Sequence, residues 1–171
     1  MKKFPVILLL VSLLAGFLSC SNDGCLDNKS ALPKAALYSS TTGQPITLNN
    51  ISISGVGAPG DSVLVPVGEA VSEVYLPMRS TESSTSWSFG YTGEGLEDMD
   101  LTDVVTFDYE SQPYFASDEC GAIYRYLITR CDWTEHLIDS VVITDSLITN
   151  VDMVRIKIYF RTAEEPEESE E

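Results

Sequence analysis

Hydrophobic and polar residues alternate along short stretches of this chain, and turn-forming residues separate those stretches. The clearest case lies near the end. Val154, Ile156, Ile158 and Phe160 fall on one side of an extended backbone, and Arg155, Lys157, Tyr159 and Arg161 on the other, the two-residue period of a half-buried strand. Trp87, Phe89 and Tyr91 make a second one-sided row, and Val105, Phe107 and Tyr109 a third. Strands are predicted over 35–38, 46–54, 62–67, 73–78, 87–91, 103–109, 114–117, 122–130, 137–144 and 151–161. Between them stand Thr42-Gly43, Pro59-Gly60-Asp61, Gly68, 80–85, 93–95, Gln112-Pro113 and Asn150, residues that favour turns by fixing or freeing the backbone. Around ten short, evenly spaced strands predict an all-β fold. The expected form is an antiparallel β-sandwich, immunoglobulin-like or jelly-roll-like, with a β-barrel as the alternative. Each inner face needs cover from the other sheet, so the apolar rows should meet in one core.

The first twenty residues follow a different pattern. Lys2 and Lys3 precede an apolar run over 6–18, then small residues and Cys20, the layout of a secretory signal peptide. Thirteen helical residues would reach only about 20 Å, short of a ~30 Å hydrocarbon core, so the run is not read as a membrane span. Phe17-Leu18-Ser19-Cys20 resembles the lipobox of bacterial lipoproteins, with Phe17 where Leu is usual. That resemblance implies that Cys20 is acylated and becomes the first residue of the mature chain. The expected organisation is a signal peptide over 1–19, the lipidated Cys20 and a polar spacer to 33, a β-sandwich over 34–163, and an acidic tail over 164–171. The tail holds six glutamates and no apolar residue, a composition that stays disordered.

Charge narrows the partners. The chain carries 26 acidic residues against 10 basic ones, and loss of the leader would remove two of the lysines. So acidic a surface repels phosphates, and nucleic acid is excluded as a partner. Solubility is the plainest reading of the charge; cationic partners or divalent cations are the alternatives.

With Cys20 assigned to lipid, Cys25, Cys120 and Cys131 remain in an oxidising compartment where disulfides persist. Cys120 and Cys131 bracket one predicted strand and would stand about 36 Å apart, too far to bridge. Cys25 lies in the spacer and can reach either. Cys25–Cys120 is the preferred pair, closing about 96 residues and contributing about 4 kcal/mol less any strain.

Several short motifs cover most of 20–161: the lipobox with Cys25 behind it, Ser54-Gly55-Val56-Gly57 followed by Asp61-Ser62, and Tyr75-Leu76-Pro77-Met78. Ser117-Asp118-Glu119-Cys120-Gly121, Ile138-Asp139-Ser140-Val141 and the strands over 103–109 and 154–160 complete the set. Together they resemble a small domain-of-unknown-function lipoprotein family of the Bacteroidota. The resemblance implies an envelope lipoprotein without a known activity, so it supplies no catalytic residues. Ser21 after Cys20 is compatible with sorting to the outer membrane, on its periplasmic or its surface face. Asp61-Ser62-Val63, Asp139-Ser140-Val141 and Asp145-Ser146-Leu147 also resemble the short acceptor used for O-glycosylation in this bacterial group.

Candidate chemistry is sparse. Glu94, Glu97, Asp98, Asp100 and Asp103 fall within ten residues, in a predicted loop where oxygen ligands suit calcium. Asp98, Asp100 and Asp103 are the candidate ligands, although the EF-hand glycine and terminal glutamate are missing. A solvated acidic loop is the preferred reading, and no other cofactor is expected. The row Trp87, Phe89, Tyr91 offers a platform for a sugar ring, but such a row more often belongs to a core; Tyr124 and Tyr126 are read the same way. His136 lies near Cys131 in sequence, which suggests a thiol–imidazole pair, yet GxSxG, HExxH and SxxK signatures are all missing. The chain is therefore expected to be a non-catalytic binding or structural module, tethered to the membrane through Cys20, with an unspecified protein or glycan partner. A calcium- or glycan-binding accessory protein and an envelope hydrolase are the alternatives.

Overall fold

The computed structural model describes residues 31–58, 62–93, 101–118 and 121–162. Ten strands follow in chain order: β1 (Lys34–Ser39), β2 (Ile51–Gly55), β3 (Val63–Val65), β4 (Glu73–Tyr75), β5 (Ser84–Tyr91), β6 (Thr102–Ser117), β7 (Gly121–Trp133), β8 (Ile138–Ile143), β9 (Leu147–Ile148) and β10 (Val154–Phe160). They form two sheets, one of four strands in the order β4-β1-β10-β8 and one of six in the order β3-β2-β5-β6-β7-β9. One of the two curls as a half-barrel, and together they make a β-sandwich, as expected.

The alternating rows build its core. Ile51 and Ile53 on β2, Trp87, Phe89 and Tyr91 on β5, and Val105, Phe107 and Tyr109 on β6 are all buried. Facing them are Ala35 and Leu37 of β1, Ile138 and Val141 of β8, and Ile156, Ile158 and Phe160 of β10. The Phe160 ring reaches across to Phe89 and Tyr91, with centroids 6.4 and 6.3 Å away, within the range where tilted aromatic pairs attract.

Three features depart from the pattern read in the sequence. First, β1 pairs with β10 in parallel, from Lys34↔Val154 to Ser39↔Phe160, whereas an antiparallel arrangement was expected. A parallel pair needs a long crossover, and here nearly the whole domain supplies it. Second, the stretches 103–109 and 114–117 are one sixteen-residue strand, with Pro113 opposite Tyr124. β5 pairs β6 only as far as Asp108, so beyond that point β6 has one neighbour, and a strand with a free edge accommodates a proline. Third, β7 carries an extra residue near Thr129, where the register shifts opposite Asp108 and Tyr109. β6 and β7 are 16 and 13 residues long against at most seven for the strands of the smaller sheet, and with Phe115 and Tyr124 exposed the far end of the β6–β7 hairpin runs past the facing sheet.

Candidate functional site

Two polar constellations stand out, one within the fold and one beside the overhanging hairpin. The first is centred on Asp103, at the start of β6. Counting back from Tyr109, Phe107 and Val105 puts Asp103 in the same inward row, and its side chain is fully buried. Its Oδ1 accepts from Thr134 Oγ1 (2.7 Å) and the His136 amide (2.8 Å). Its Oδ2 accepts from the Tyr91 hydroxyl and the Leu137 amide (both 2.8 Å) and from the Ile138 amide (2.9 Å). Burial alone would raise the carboxyl's pKa, but the amides of His136 and Ile138 and the hydroxyls of Thr134 and Tyr91 outweigh it and hold it down at about 2. These groups stabilise the ionised form by donating to it. The Tyr91 hydroxyl is pushed up, first by burial and then by its bond to Asp103.

Asp103 therefore ties the turn 134–137 and the first residue of β8 to the larger sheet. Of the three candidate calcium ligands, Asp98 and Asp100 lie outside the described residues, and Asp103 directs both oxygens at protein donors. Among the described residues no three His, Cys, Asp or Glu side chains gather as a metal site.

His136 is largely exposed, with Nδ1 3.2 Å from Asp103 Oδ1. Cys131 is a free thiol, half-buried against the core, and burial, with Asp132 adding to it, pushes its pKa up to about 12. A thiol so placed stays protonated at neutral pH and is a poor nucleophile. Cys20, Cys25 and Cys120 lie outside the described residues. Of the Asp-Ser motifs, Ser146 is exposed in a turn where Asp145 Oδ1 accepts the Leu147 amide (2.9 Å), and Ser140 is half-buried on β8.

The second constellation grows from two tyrosines. Tyr109 and Tyr126 lie edge-to-face, centroids 5.3 Å apart. The Tyr109 hydroxyl donates to the Arg79 carbonyl and accepts the Arg79 amide, both at 3.0 Å, and sits 2.8 Å from Thr85 Oγ1. Tyr126 donates to the Met78 carbonyl (3.2 Å), and the Tyr109 amide donates to the Ser83 carbonyl (2.9 Å). These bonds hold the segment 78–83 across β6. Between residues 80–83 and residues 109–112 an open hollow of about 580 Å³ remains. Ser80, Thr81, Ser83 and Ser111 give its lining four hydroxyls, and Glu82 and Glu110 two carboxylates; Gln112 also lines it, but its Oε1 accepts Arg125 Nε (3.2 Å) on the other face of the strand. Ser111 Oγ is shielded from solvent and has no partner among the described residues.

Beyond Ser111 the same face of the hairpin continues into the open. Tyr124, expected in the core beside Tyr126, is 46% exposed, and Phe115 is 63% exposed. The facing sheet has ended there, so nothing in it reaches these rings. The alternation that marks Tyr126 as buried marks Tyr124 identically, and only the relative length of the two sheets separates them.

The fold and these sites define a two-sheet, all-β domain whose larger sheet overhangs the smaller. The chain belongs to the family of unknown function DUF6452, whose model matches residues 50–160. The match spans β2 to β10 and leaves β1, the strand that completes the smaller sheet, ahead of it. No curated protein and no solved structure matches the chain.

Proposed function

We propose that the chain is an exported lipoprotein, held in the outer membrane by acyl groups on Cys20, whose β-sandwich acts as a non-catalytic binding module of the cell envelope. The observation that carries this reading is the N-terminal layout: Lys2 and Lys3, the apolar run over 6–18, and Phe17-Leu18-Ser19-Cys20. A leader of this form directs export, and more than one acyl chain is needed for a stable anchor, since a single chain holds only marginally. The acidic balance suits a displayed, soluble body and disfavours anionic partners.

Fractionation of the wild type and a Cys20→Ala variant tests the anchor. The wild type sediments with membranes; the variant stays unprocessed or turns up in the soluble fraction. Mass spectrometry of the mature protein should find acyl chains on Cys20 as residue one. A variant that remains processed and membrane-bound would overturn the assignment.

The acidic segment that includes Asp98 and Asp100 supports a second reading, a calcium-dependent accessory role. Calcium binding to the folded state alone would raise the melting temperature, with stability growing as the logarithm of calcium concentration above the Kd. No shift at millimolar calcium removes this reading.

A further inference from the structure

The hollow beside the overhanging hairpin has a composition that selects a ligand class. Its lining presents hydroxyls and two carboxylates, with no cationic side chain among the residues lining it. Such groups both donate and accept, which matches the vicinal hydroxyls of a sugar. Tyr124 stands opposite Pro113, one register step of two residues from the Ser111↔Tyr126 pair, about 7 Å further along the strand. Its exposed ring offers an apolar face beside the polar wall, and that of Phe115, opposite Ala122, another about 13 Å from Ser111 along the strand, the combination of a few convergent polar groups and aromatic surface that marks a small-molecule site. Ser111 Oγ is an independent sign. A shielded hydroxyl without a partner is costly, and a ligand hydroxyl brought to this wall would satisfy it.

We propose that this hollow is a carbohydrate-binding site for an uncharged or amine-bearing sugar. Ser80, Thr81, Ser83 and Ser111 hydrogen-bond its hydroxyls, and the rings of Tyr124 and Phe115 stack on its C–H faces. Glu82 and Glu110 in the lining and the chain's formal charge of −16 turn away uronates and sulfated sugars by like-charge repulsion. The assignment rests on the domain being a binding module and goes further by naming what is bound and where.

The test uses the full-length chain in detergent. Maltohexaose, mannohexaose, N-acetylchitohexaose and chitosan hexamer are titrated against it by saturation-transfer NMR and calorimetry, with hexagalacturonate as the anionic probe. At least one of the first four should bind and hexagalacturonate should not. Tyr124→Ala should weaken that binding by about tenfold, the loss expected for one stacked ring with its buried area. Ser111→Ala should weaken it too. Thermal unfolding of each variant separates loss of binding from loss of fold, because an exposed ring and an unpartnered hydroxyl contribute little to stability. Failure of all four sugars to bind at 10 mM, binding indifferent to both substitutions, or equal binding of hexagalacturonate would overturn the proposal. A chain that reaches the membrane through Cys20 yet ignores every sugar sinks the ligand assignment alone. A chain that binds them but is not anchored sinks the tether alone.

Discussion

The carboxylate of Asp103 and the backbone amide of Ile138 meet at 2.9 Å, and that contact joins the two sheets. Asp103 sits at the start of β6 in the larger sheet, and Ile138 opens β8 in the smaller. Four further donors converge on the same buried carboxylate, so one side chain sets where the 134–137 turn ends and β8 begins.

Asp103→Asn keeps the size of this side chain but replaces one acceptor oxygen with a donor. At least two of the five inward-pointing donors then face an NH₂ group or lose their partner. A buried hydrogen-bonded charge of this kind costs about 3 kcal/mol when broken. Urea unfolding should show a lower midpoint at unchanged slope, since the surface exposed on unfolding is the same.

Acid should narrow that difference. The Asp103 pKa is about 2 in the folded chain against an ordinary carboxyl value of 3.8, so its contribution to stability is complete above roughly pH 5 and is lost as pH falls towards 2. The depressed value corresponds to about 2 kcal/mol. The stability gap between wild type and Asp103→Asn, measured at pH 7, 4, 3 and 2, should therefore narrow by about that amount. A gap constant over this range would mean that the carboxylate's charge does not contribute.

Arg155 pins a second junction. It is buried on β10 and donates to the Asp145 carboxylate, to the Leu147 carbonyl (2.7 Å) and to Thr149 Oγ1 (3.1 Å). Leu147 belongs to β9, which has only two residues and is otherwise held by its pairing with β7 and by the buried Ile148. Arg155→Met should cost about 2 kcal/mol through the lost charged hydrogen bonds. Its sharper signature is local: the Ile128 amide, which donates to the Ser146 carbonyl at 2.9 Å, should lose hydrogen-exchange protection before the β5–β6 amides do.

Cys131 should resist alkylation. With its pKa pushed up to about 12 by burial, little thiolate exists at pH 8, and the thiolate is the reactive form. Labelling by iodoacetamide at Cys131, read by peptide mass spectrometry, should be at least about a hundredfold slower in the native protein than in urea. Fast native labelling would place the thiol in solvent.

How far the sequence foretold this structure differs from element to element. The rows Trp87–Phe89–Tyr91, Val105–Phe107–Tyr109 and Ile156–Ile158–Phe160 are legible because a two-residue period reports burial of one face directly. Asp103 continues the second row by the same count, yet its neighbours in sequence, Asp98 and Asp100, draw it into an acidic loop. Trusting the phase over the composition finds it. Pro113 reads as a turn because a proline argues against a central strand, and only the early end of β5 makes its position permissible. Arg155 falls on the outward side by alternation and is covered by the 144–149 segment, which no local pattern reveals. The hollow and the exposed Tyr124 depend on one sheet outrunning the other, a long-range property that short patterns do not encode. The parallel partnership of β1 and β10 is of the same kind, since periodicity tells which face is buried but not which strand lies alongside.

That partnership has a mechanical side. β1 is gripped between β4 and β10, and Ser39 Oγ lies 2.7 Å from Thr162 Oγ1, so the two ends of the domain are laced together. A tug on the backbone ahead of residue 34 drags β1 lengthwise and loads its cross-strand bonds together, where a peeling force would open them one at a time. A body pulled from its N-terminal side would thus be strapped in by the strand best oriented to resist being drawn out.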